Sequence, residues 1–438
     1  MTRKLSRLFG KRNNKQVNKT SLRPLLARRC FNVGGQMPYS YLKPLLDDNG
    51  SKIVLLVLDG LGGIATSPDG KTALETANTP NLDELAKSGT LGQTIPIRYG
   101  ITPGSGPAHL ALFGYEPLEF VIGRGALSAS GVNLPVKVGD IAARGNLCTL
   151  DQKGNVTDRR AGRISQEDAA PVIEKLNQVQ IPGVEVEVRQ VKEYRFVIVM
   201  RGEGLNPALN DTDPQEEGVP PLKVEAQNPD ANKAAEFMQQ WISEAYKTLA
   251  DQPIANGFLL RGFATDPCLP SYEEAYQLQA ACIAEYPMYK GVSRLVGMDV
   301  LELVGAGAEG EFKTAQKHWN EHDFFFIHIK KTDSYGEDGN LEAKSKIIEE
   351  VDRALPILLD LKPDVLMVTG DHSTPALLKS HSWHPVPFLI WAPKTHRTDW
   401  ETAFNERNCA RGGLGTFPAV ETMSLALAHA RRLQKFGA

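Results

Sequence analysis

The amino-acid sequence predicts an α/β fold with a mainly parallel sheet, and two observations carry that prediction. First, the chain has short apolar runs, rich in β-branched and aromatic residues, of the kind that form strands buried on both faces of a parallel sheet. These runs lie at 53–58, 324–329, 365–369 and 387–391. Second, helical patterns separate several of these runs, and such alternation is typical of parallel sheets. A chain of 438 residues can form one large domain or two moderate ones.

Two helical segments can be placed between these strands. Thr79-Pro80 opens the first, because proline is favoured in the first turn of a helix. The second spans 347–361, where the apolar residues follow a helical period, and it ends before Pro363.

The middle of the chain has a different pattern. Between about residues 130 and 290 the apolar runs are shorter and alternate with polar residues, as at 184–188, which indicates half-solvated strands. The Pro-rich, acidic stretch from Asn206 to Pro221 is predicted to be an exposed loop. We therefore predict a discontinuous catalytic domain and a smaller α/β domain inserted into it, with these bounds: 37–130 and 295–438 for the first, 131–294 for the second.

The N-terminus is strongly basic. Residues 1–36 contain ten Lys or Arg and no Asp or Glu, so the net charge of −3 becomes −13 when they are removed. Such a segment is typical of a transit peptide, of a disordered tail, or of an upstream start codon with Met37 as the real beginning. All three readings stay open, and we predict a basic, disordered extension without catalytic residues.

Composition argues against several classes of protein. No stretch of about 18 apolar residues is present, so we expect no membrane partner. The acidic net charge argues against a general nucleic-acid binder. Five cysteines without a CxxC spacing are typical of reduced thiols, which favours a cytoplasmic location. Import into an organelle through the basic N-terminus is the alternative.

Four polar segments lie at or near the ends of predicted strands, where open α/β sheets bind their ligands. They contain Asp59 after the first strand, Ser105 between two glycines, Asp333 with Glu337, and Asp371-His372 followed by His381 and His384. An Asp-His pair with two further histidines within about a dozen residues is a composition typical of metal ligands.

The setting of Ser105 permits two interpretations. Gly, Pro and Ser are the usual residues of turns, so a structural turn is one of them. As a nucleophile, Ser105 would lack the Gly-x-Ser-x-Gly elbow of hydrolases and would need another activator, such as a metal ion. Together the four segments offer enough oxygen and nitrogen ligands for two divalent ions. Two ions about 4 Å apart can clamp the attacking and leaving oxygens of an in-line displacement.

These segments, in this order, resemble the cofactor-independent (2,3-bisphosphoglycerate-independent) phosphoglycerate mutases of the alkaline phosphatase superfamily, and most of all their archaeal-type branch. The resemblance rests on Asp59-Gly60, Pro103-Gly104-Ser105, Thr332-Asp333, Gly370-Asp371-His372 and His381 with Pro385-Val386-Pro387. It covers the chain from about residue 50 to the end. It implies an alkaline-phosphatase-like, mainly parallel sheet sandwiched by helices, with an inserted substrate-binding domain. The implied activity is interconversion of 3-phosphoglycerate and 2-phosphoglycerate in glycolysis and gluconeogenesis.

The resemblance also implies roles for single residues. Ser105 would be the nucleophile that forms a phosphoserine. One metal ion would be held by Asp59, Ser105, Asp371 and His372, and the other by Asp333, Glu337 and His381. Mn²⁺ is the first choice, with Mg²⁺, Co²⁺ or Zn²⁺ as alternatives, and no 2,3-bisphosphoglycerate is needed. For the anionic groups of the phosphoglycerate we predict contacts from Arg144, Arg159, Arg163, Arg201, Arg261 and Lys290, because basic side chains, arginine above all, match carboxylate and phosphate.

The chain departs from the family pattern at two positions. Glu337 stands where many relatives have a histidine, which favours Mn²⁺ or Mg²⁺ over Zn²⁺. Gly106 follows the serine where relatives often carry an acid. Two alternatives stay open: a metal-dependent phosphatase or other phosphomutase of the same superfamily, and a catalytically inactive metal-binding relative. The oligomeric state is not predicted.

Overall fold

Two sheets and their covering helices form the part of the chain that this computed structural model describes, residues 40–437. The strands are β1 (Ile53–Leu58), β2 (Thr90–Ile95), β3 (Ile141–Leu150), β4 (Val156–Asp158), β5 (Glu185–Lys192), β6 (Arg195–Arg201), β7 (Gly257–Ala264), β8 (Ala280–Ala284), β9 (Asp299–Val300), β10 (Phe324–Ile329), β11 (Val365–Thr369), β12 (Val386–Trp391) and β13 (Gly415–Pro418). The predicted basic extension at residues 1–36 lies outside the described residues.

The helices cover both sheets. They are α1 (Ala73–Thr76), α2 (Pro80–Ser88), α3 (Ser105–Leu112), α4 (Arg124–Gly131), α5 (Gln166–Asn177), α6 (Asn232–Leu249), α7 (Tyr272–Tyr276), α8 (Pro287–Leu295), α9 (Gly307–Lys317), α10 (Lys331–Glu337), α11 (Leu341–Ala354), α12 (Pro356–Leu359), α13 (Glu406–Cys409) and α14 (Thr422–His429). Among them, none has the length and apolar character that crossing a membrane requires.

The first sheet has eight strands in the order β13-β2-β12-β11-β1-β10-β8-β9. β12 runs antiparallel to both of its neighbours, and the other pairs are parallel, which confirms the predicted mainly parallel α/β sheet. The central strand β1 shows why the apolar run is continuous: alternate residues enter two different cores. Ile53, Leu55 and Val57 pack on one face, and Val54, Leu56 and Leu58 pack on the other.

The predicted helices are confirmed with one change of bounds. α2 begins at Pro80 as predicted. The segment predicted as one helix over 347–361 is divided between α11 and α12, because Pro356 cannot donate the hydrogen bond that would continue α11. α11 also starts earlier than predicted, at Leu341, after Asn340 caps its first turn by accepting a hydrogen bond from the Ala343 N–H.

The second sheet is antiparallel and has five strands, with β4-β3-β6-β5 in order and β7 paired to β3. α5 and α6 contribute to the core on one face, and α4 packs on the other. β5 alternates between buried and more exposed residues, which confirms the half-solvated pattern. The stretch 206–221 forms neither helix nor strand, but Leu209, Thr212 and Asp213 in it are buried, so the prediction of an exposed loop is wrong for these three residues.

The boundary between the two sheets along the chain differs from the predicted domain boundary. β8 lies within the predicted insertion, 131–294, yet it pairs with β10 in the eight-stranded sheet. The insertion as predicted therefore holds one strand too many. The division into a catalytic domain and an inserted domain itself stays a prediction.

Candidate metal centre and anion cleft

Three strand ends of the eight-stranded sheet bring the predicted acidic residues together. Asp59 follows β1, Asp333 lies in α10 just after β10, and Asp371 follows β11. Because β1 pairs in parallel with both β10 and β11, their carboxyl ends share one edge of the sheet. The chain turns after Asp59 because Gly60 adopts a φ of +63°, and a Cβ there would lie 2.5 Å from Thr374 Oγ1.

Two groups of side chains are arranged to hold metal ions. Asp59, Asp371 and His372 form one group and Asp333, His372 and His381 the other, and in each group the ligand atoms lie within 4.8 Å of one another. Asp59 Oδ1 is buried and has no hydrogen-bond partner in the described part of the chain. An unpaired buried carboxylate oxygen is costly, so these residues fit a divalent cation, which carboxylate and imidazole ligands satisfy.

Thr374 fixes the tautomer of His372. The Thr374 hydroxyl donates to Asp333 Oδ1 at 2.6 Å, and it therefore accepts the proton of His372 Nδ1 at 3.0 Å. His372 Nε2 is left without a proton, 3.4 Å from Asp59 Oδ1 and 3.2 Å from Asp371 Oδ2. Burial lowers the pKa of His372, so the ring is neutral at neutral pH. Lone pairs that face one another at these distances favour a cation between them.

Ser105 lies next to the first group. It is the first residue of α3, and its Oγ is 3.2 Å from His372 Nε2. The imidazole of His109, one turn further along the helix, donates through Nδ1 to the Ser105 carbonyl at 2.8 Å. That Nδ1 also lies 3.2 Å from Asp371 Oδ2. The nucleophile predicted from sequence therefore has its hydroxyl beside His372, one of the predicted ligands of the same metal ion.

His381 joins the second group, and Glu337 lies at its edge. The His381 Nδ1–H donates to the Pro103 carbonyl at 2.9 Å, which leaves Nε2 free for a metal. Its ring stacks on His372 with centroids 3.7 Å apart. His381 Nε2 lies 3.6 Å from Asp333 Oδ1 and 3.8 Å from Glu337 Oε1. The Glu337 side chain is 55% exposed and belongs to neither group in this structure.

The sequence analysis missed Lys330, which bridges the two groups. Its Nζ lies 3.0 Å from Asp59 Oδ2 and 2.6 Å from Asp333 Oδ2. Burial disfavours the charge of Lys330, but the two carboxylates outweigh burial and raise its pKa. Its position directly after a predicted strand is the signal that could have identified it.

A buried aromatic layer lies under the metal centre and was also missed. The Tyr289 hydroxyl donates to Asp59 Oδ2, and His328 Nε2 is 3.3 Å from the same oxygen. Burial alone would raise the pKa of Asp59, but His328 and Lys330 outweigh it and hold that pKa well below its usual range. Asp59 is therefore an anion at neutral pH.

A cleft of about 620 Å³ opens beside Ser105. Its lining includes Ser105, Glu337 and His381, and it includes four basic residues that we call the basic wall: Arg124, Arg144, Lys192 and Arg195. Burial and the neighbouring charges of Arg195, Arg124 and Arg261 lower the pKa of Arg144 to about 10. The Nε atoms of Arg144 and Arg195 are buried and lack partners within the described residues. Such a concentration of positive charge fits an anion with several oxygens.

The six basic residues predicted to bind the substrate are placed differently from one another. Arg144 lines the cleft. Arg159 and Arg261 both bind Asp213, at 2.8 and 3.3 Å, and Arg201 binds Glu187 at 3.0 Å. Arg163 is exposed, and Lys290 is half-buried on α8 away from the cleft lining. The structure thus adds Arg124, Lys192 and Arg195 to the cleft, and the roles of all these residues remain predictions.

Comparison with known proteins connects this geometry to a family. A family model described as 2,3-bisphosphoglycerate-independent phosphoglycerate mutase matches residues 86–255. A protein of Thermosipho africanus named as a probable enzyme of this kind is 52% identical over 400 residues, which cover 91% of this chain and 98% of that protein. The chain belongs to this family. A relative from Aquifex aeolicus with the same name is 51% identical over 406 residues, 91% of this chain and 99% of its own length.

Two solved structures agree with this membership. A protein from Pyrococcus horikoshii superposes with a TM-score of 0.76 at 32% identity, covering 89% of this chain and 99% of that one. The cofactor-independent phosphoglycerate mutase of Thermoplasma acidophilum superposes with a TM-score of 0.68 at 29% identity, covering 87% and 100%. The resemblance drawn from the sequence motifs is therefore confirmed.

Proposed function

We propose that this phosphoglycerate mutase family member interconverts 3-phosphoglycerate and 2-phosphoglycerate through a phosphoserine at Ser105. The observation that carries the proposal is the position of Ser105 Oγ between the buried carboxylate–histidine groups and the basic wall of the cleft. The names of the relatives from Thermosipho and Aquifex support the choice of substrate. A requirement for Mn²⁺ and a cytoplasmic location belong to the same proposal.

Two divalent ions fit the centre. Asp59, Ser105, Asp371 and His372 would hold one ion, and Asp333, His381 and Glu337 would hold the other. When bound, the ions would lower the pKa of the serine hydroxyl and neutralise the charge on the transferred phosphoryl group. Glu337 brings an oxygen ligand to the second ion, which supports Mn²⁺ or Mg²⁺ over Zn²⁺.

The residues of the chain then account for the two transfers. The Ser105 hydroxyl loses its proton as Oγ attacks phosphorus, the bond from phosphorus to the 3-oxygen breaks, and the glycerate 3-oxygen takes up one proton in exchange. The Lys330 ammonium binds Asp59 and Asp333 and is placed to keep these two carboxylates oriented during the transfer. The glycerate turns within the cleft while the basic wall keeps hold of its carboxylate. The 2-hydroxyl loses its proton as its oxygen attacks phosphorus, the bond from phosphorus to Ser105 Oγ breaks, and Oγ takes up a proton to restore the serine.

The phosphatase alternative uses the same first step. If water instead of glycerate attacked the phosphoserine, free phosphate would form, so exclusion of water from the cleft decides between the two activities. The basic wall favours the mutase, because its positive charges would hold the glycerate carboxylate in the cleft after the first transfer.

An assay free of 2,3-bisphosphoglycerate tests the proposal. Wild-type protein with 3-phosphoglycerate and Mn²⁺ is expected to form 2-phosphoglycerate, and Ser105→Ala is expected to lower the rate by at least about a thousandfold. Ser128→Ala is the matched control, because Ser128 lines the same cleft but lies on α4. Free phosphate as the main product would favour the phosphatase. Product formation that does not depend on Ser105 would refute the mechanism.

A further inference from the structure

Tyr289 connects the wall of the cleft to the metal centre. It lies on α8, where Tyr286 caps the helix and Pro287 and Met288 begin it, and these three residues line the cleft beside Ser105. The Tyr289 side chain is fully buried, and its hydroxyl donates to Asp59 Oδ2. One short helix therefore contacts both the proposed substrate site and a proposed metal ligand.

Packing restrains the Tyr289 side chain and so fixes the position of its hydroxyl. Its ring stacks on His328 with centroids 3.5 Å apart and an interplanar angle of 24°, and the His109 ring lies 4.9 Å away. All three side chains are buried, so the phenol has no room for another rotamer.

α8 is itself held firmly against α4. A Cβ at Gly291 would lie 2.6 Å from the Leu127 carbonyl, so the two backbones meet at a distance that only glycine permits. Arg294 Nη1 donates to the Ser130 carbonyl at 2.8 Å, and Ser130 Oγ donates to the Gly291 carbonyl at 3.0 Å. Movement of the Tyr289 backbone would break these contacts.

The two oxygens of Asp59 have different surroundings. Oδ2 accepts hydrogen bonds from the Tyr289 hydroxyl and from Lys330 Nζ at 3.0 Å. Oδ1 has no hydrogen-bond partner among residues 40–437 and lies 3.4 Å from His372 Nε2, on the side of the first ligand group. A carboxylate that is fixed through one oxygen presents the other in a defined direction.

We propose that Tyr289 is a positioning residue of the metal centre, whose hydroxyl holds Asp59 Oδ2 so that Oδ1 faces the ion. The inference deepens the proposed function and rests on its metal centre. Hydrogen bonds to metal ligands from outside the coordination sphere typically change metal affinity by about 10–100-fold. Tyr289→Phe removes the hydroxyl and keeps the ring that packs on His328, so the fold is expected to survive.

Calorimetric titration of metal-free, full-length protein with Mn²⁺ tests the role. Wild-type protein is expected to bind two ions, and Tyr289→Phe is expected to weaken one of them about tenfold or more while the other changes by less than about twofold. Tyr276→Phe is the matched control, because Tyr276 is equally buried but its hydroxyl donates to the Phe113 carbonyl. In Tyr289→Phe, kcat at limiting Mn²⁺ is expected to fall and to recover at excess Mn²⁺, with KM for 3-phosphoglycerate unchanged.

Two results would overturn the inference in ways that can be told apart. Mn²⁺ affinities of Tyr289→Phe within about twofold of wild type, with equal losses of melting temperature in both tyrosine variants, would leave Tyr289 with a packing role only. Mn²⁺ binding that Asp59→Asn does not alter would refute the metal centre of the proposed function, and the role of Tyr289 with it.

Discussion

Opposite charges are concentrated in two regions, the strand ends of the eight-stranded sheet and the basic wall of the cleft. Asp59, Asp333 and Asp371 are buried together in the first, whereas Arg144 and Arg195, in the second, lie on neighbouring strands of the five-stranded sheet. Each region holds like charges close together, which costs stability in the absence of a ligand. A cation would relieve the repulsion among the acids, and an anion would relieve the repulsion among the arginines. Ser105 lies where the two regions meet.

The two regions also differ in how firmly their side chains are held. Around the acids, Lys344 is buried on α11 and donates to the carbonyls of Gly60 at 2.7 Å and Thr374 at 2.8 Å, which ties two ligand-bearing loops together. In the basic wall, the Nε atoms of Arg144 and Arg195 lack partners within the described residues. We infer that the acidic region is organised before its ions bind and that the basic wall is completed only by its anion.

Removing the charge of one acid at the metal centre is expected to have the largest effect, and it tests whether the acidic region is the catalytic centre. Asp371 accepts the Gly60 N–H through Oδ1 at 3.0 Å, a contact that asparagine can retain, so Asp371→Asn removes mainly the charge. We expect kcat to fall by at least about a thousandfold, because the electrostatic stabilisation of the transferred group is lost. The assay is phosphoglycerate isomerisation with saturating Mn²⁺, beside a count of bound Mn²⁺, which should drop from two to one.

The control for Asp371→Asn is Asp352→Asn. Asp352 is equally buried but accepts hydrogen bonds from Leu82 N–H and Asn81 outside the metal centre. It should lose stability and keep both ions. If Asp371→Asn retained activity within about tenfold of wild type, the acidic region would not be the catalytic centre.

Glu406 allows a sharper test, since it is an acid of the same region that belongs to neither of the two ligand groups. It accepts hydrogen bonds from the Gly63 N–H at 3.0 Å and the Thr72 hydroxyl at 2.7 Å, and burial raises its pKa from 4.5 to about 7. Because the folded protein binds this proton more tightly than the unfolded chain, the contribution to stability is complete below pH 4.5 and is lost as the pH rises through 7. The expected loss is up to about 3 kcal/mol.

Urea unfolding of wild-type protein and Glu406→Gln at pH 5 and pH 8 measures this contribution. The difference in unfolding free energy between the two proteins should change in favour of Glu406→Gln as the pH rises, because glutamine does not titrate. Glu84→Gln, at a side chain that is 72% exposed, should show no such change. A difference that does not depend on pH would mean that Glu406 keeps an ordinary carboxylate in the folded protein.

The acidic region could be predicted from sequence in far more detail than the basic wall. β1, β10 and β11 are continuous apolar runs, and the residue types that follow them are unusual outside metal sites, so Asp59, Asp371 and His372 could be recognised from local pattern. Parallel pairing then brings those strand ends together without further information.

The basic wall could not be predicted in this way, because an arginine in a cleft and one on a surface have the same local sequence. The sequence analysis predicts a substrate contact for both Arg144 and Arg163, yet Arg144 lines the cleft and Arg163 is exposed. The difference arises from the pairing of β3 with β6 and β7, which is a long-range contact. Tyr289 was missed for the same reason, since its partner Asp59 is more than 200 residues away.

Removing one charge from the basic wall tests the second half of the comparison, with a smaller expected effect. Arg144→Gln should raise KM for 3-phosphoglycerate by about tenfold, the value of one charge-assisted hydrogen bond, and leave kcat within about threefold. The substrate-free protein should unfold at an equal or higher temperature, because repulsion from Arg124, Arg195 and Arg261 is relieved. Steady-state kinetics and thermal unfolding, with exposed Arg163→Gln as the control, measure both effects.

The two readouts of Arg144→Gln together decide what kind of site the wall is. Weaker binding of 3-phosphoglycerate together with a higher unfolding temperature would show that the arginines repel one another in the free protein and that the bound anion relieves this repulsion. A fall in kcat with KM unchanged would instead place Arg144 on the transferred phosphoryl group, which is the part assigned to the metal ions. In that case both regions would stabilise the transferred phosphoryl group. The acidic region could then no longer be distinguished from the basic wall as the part that is organised before its ligand binds.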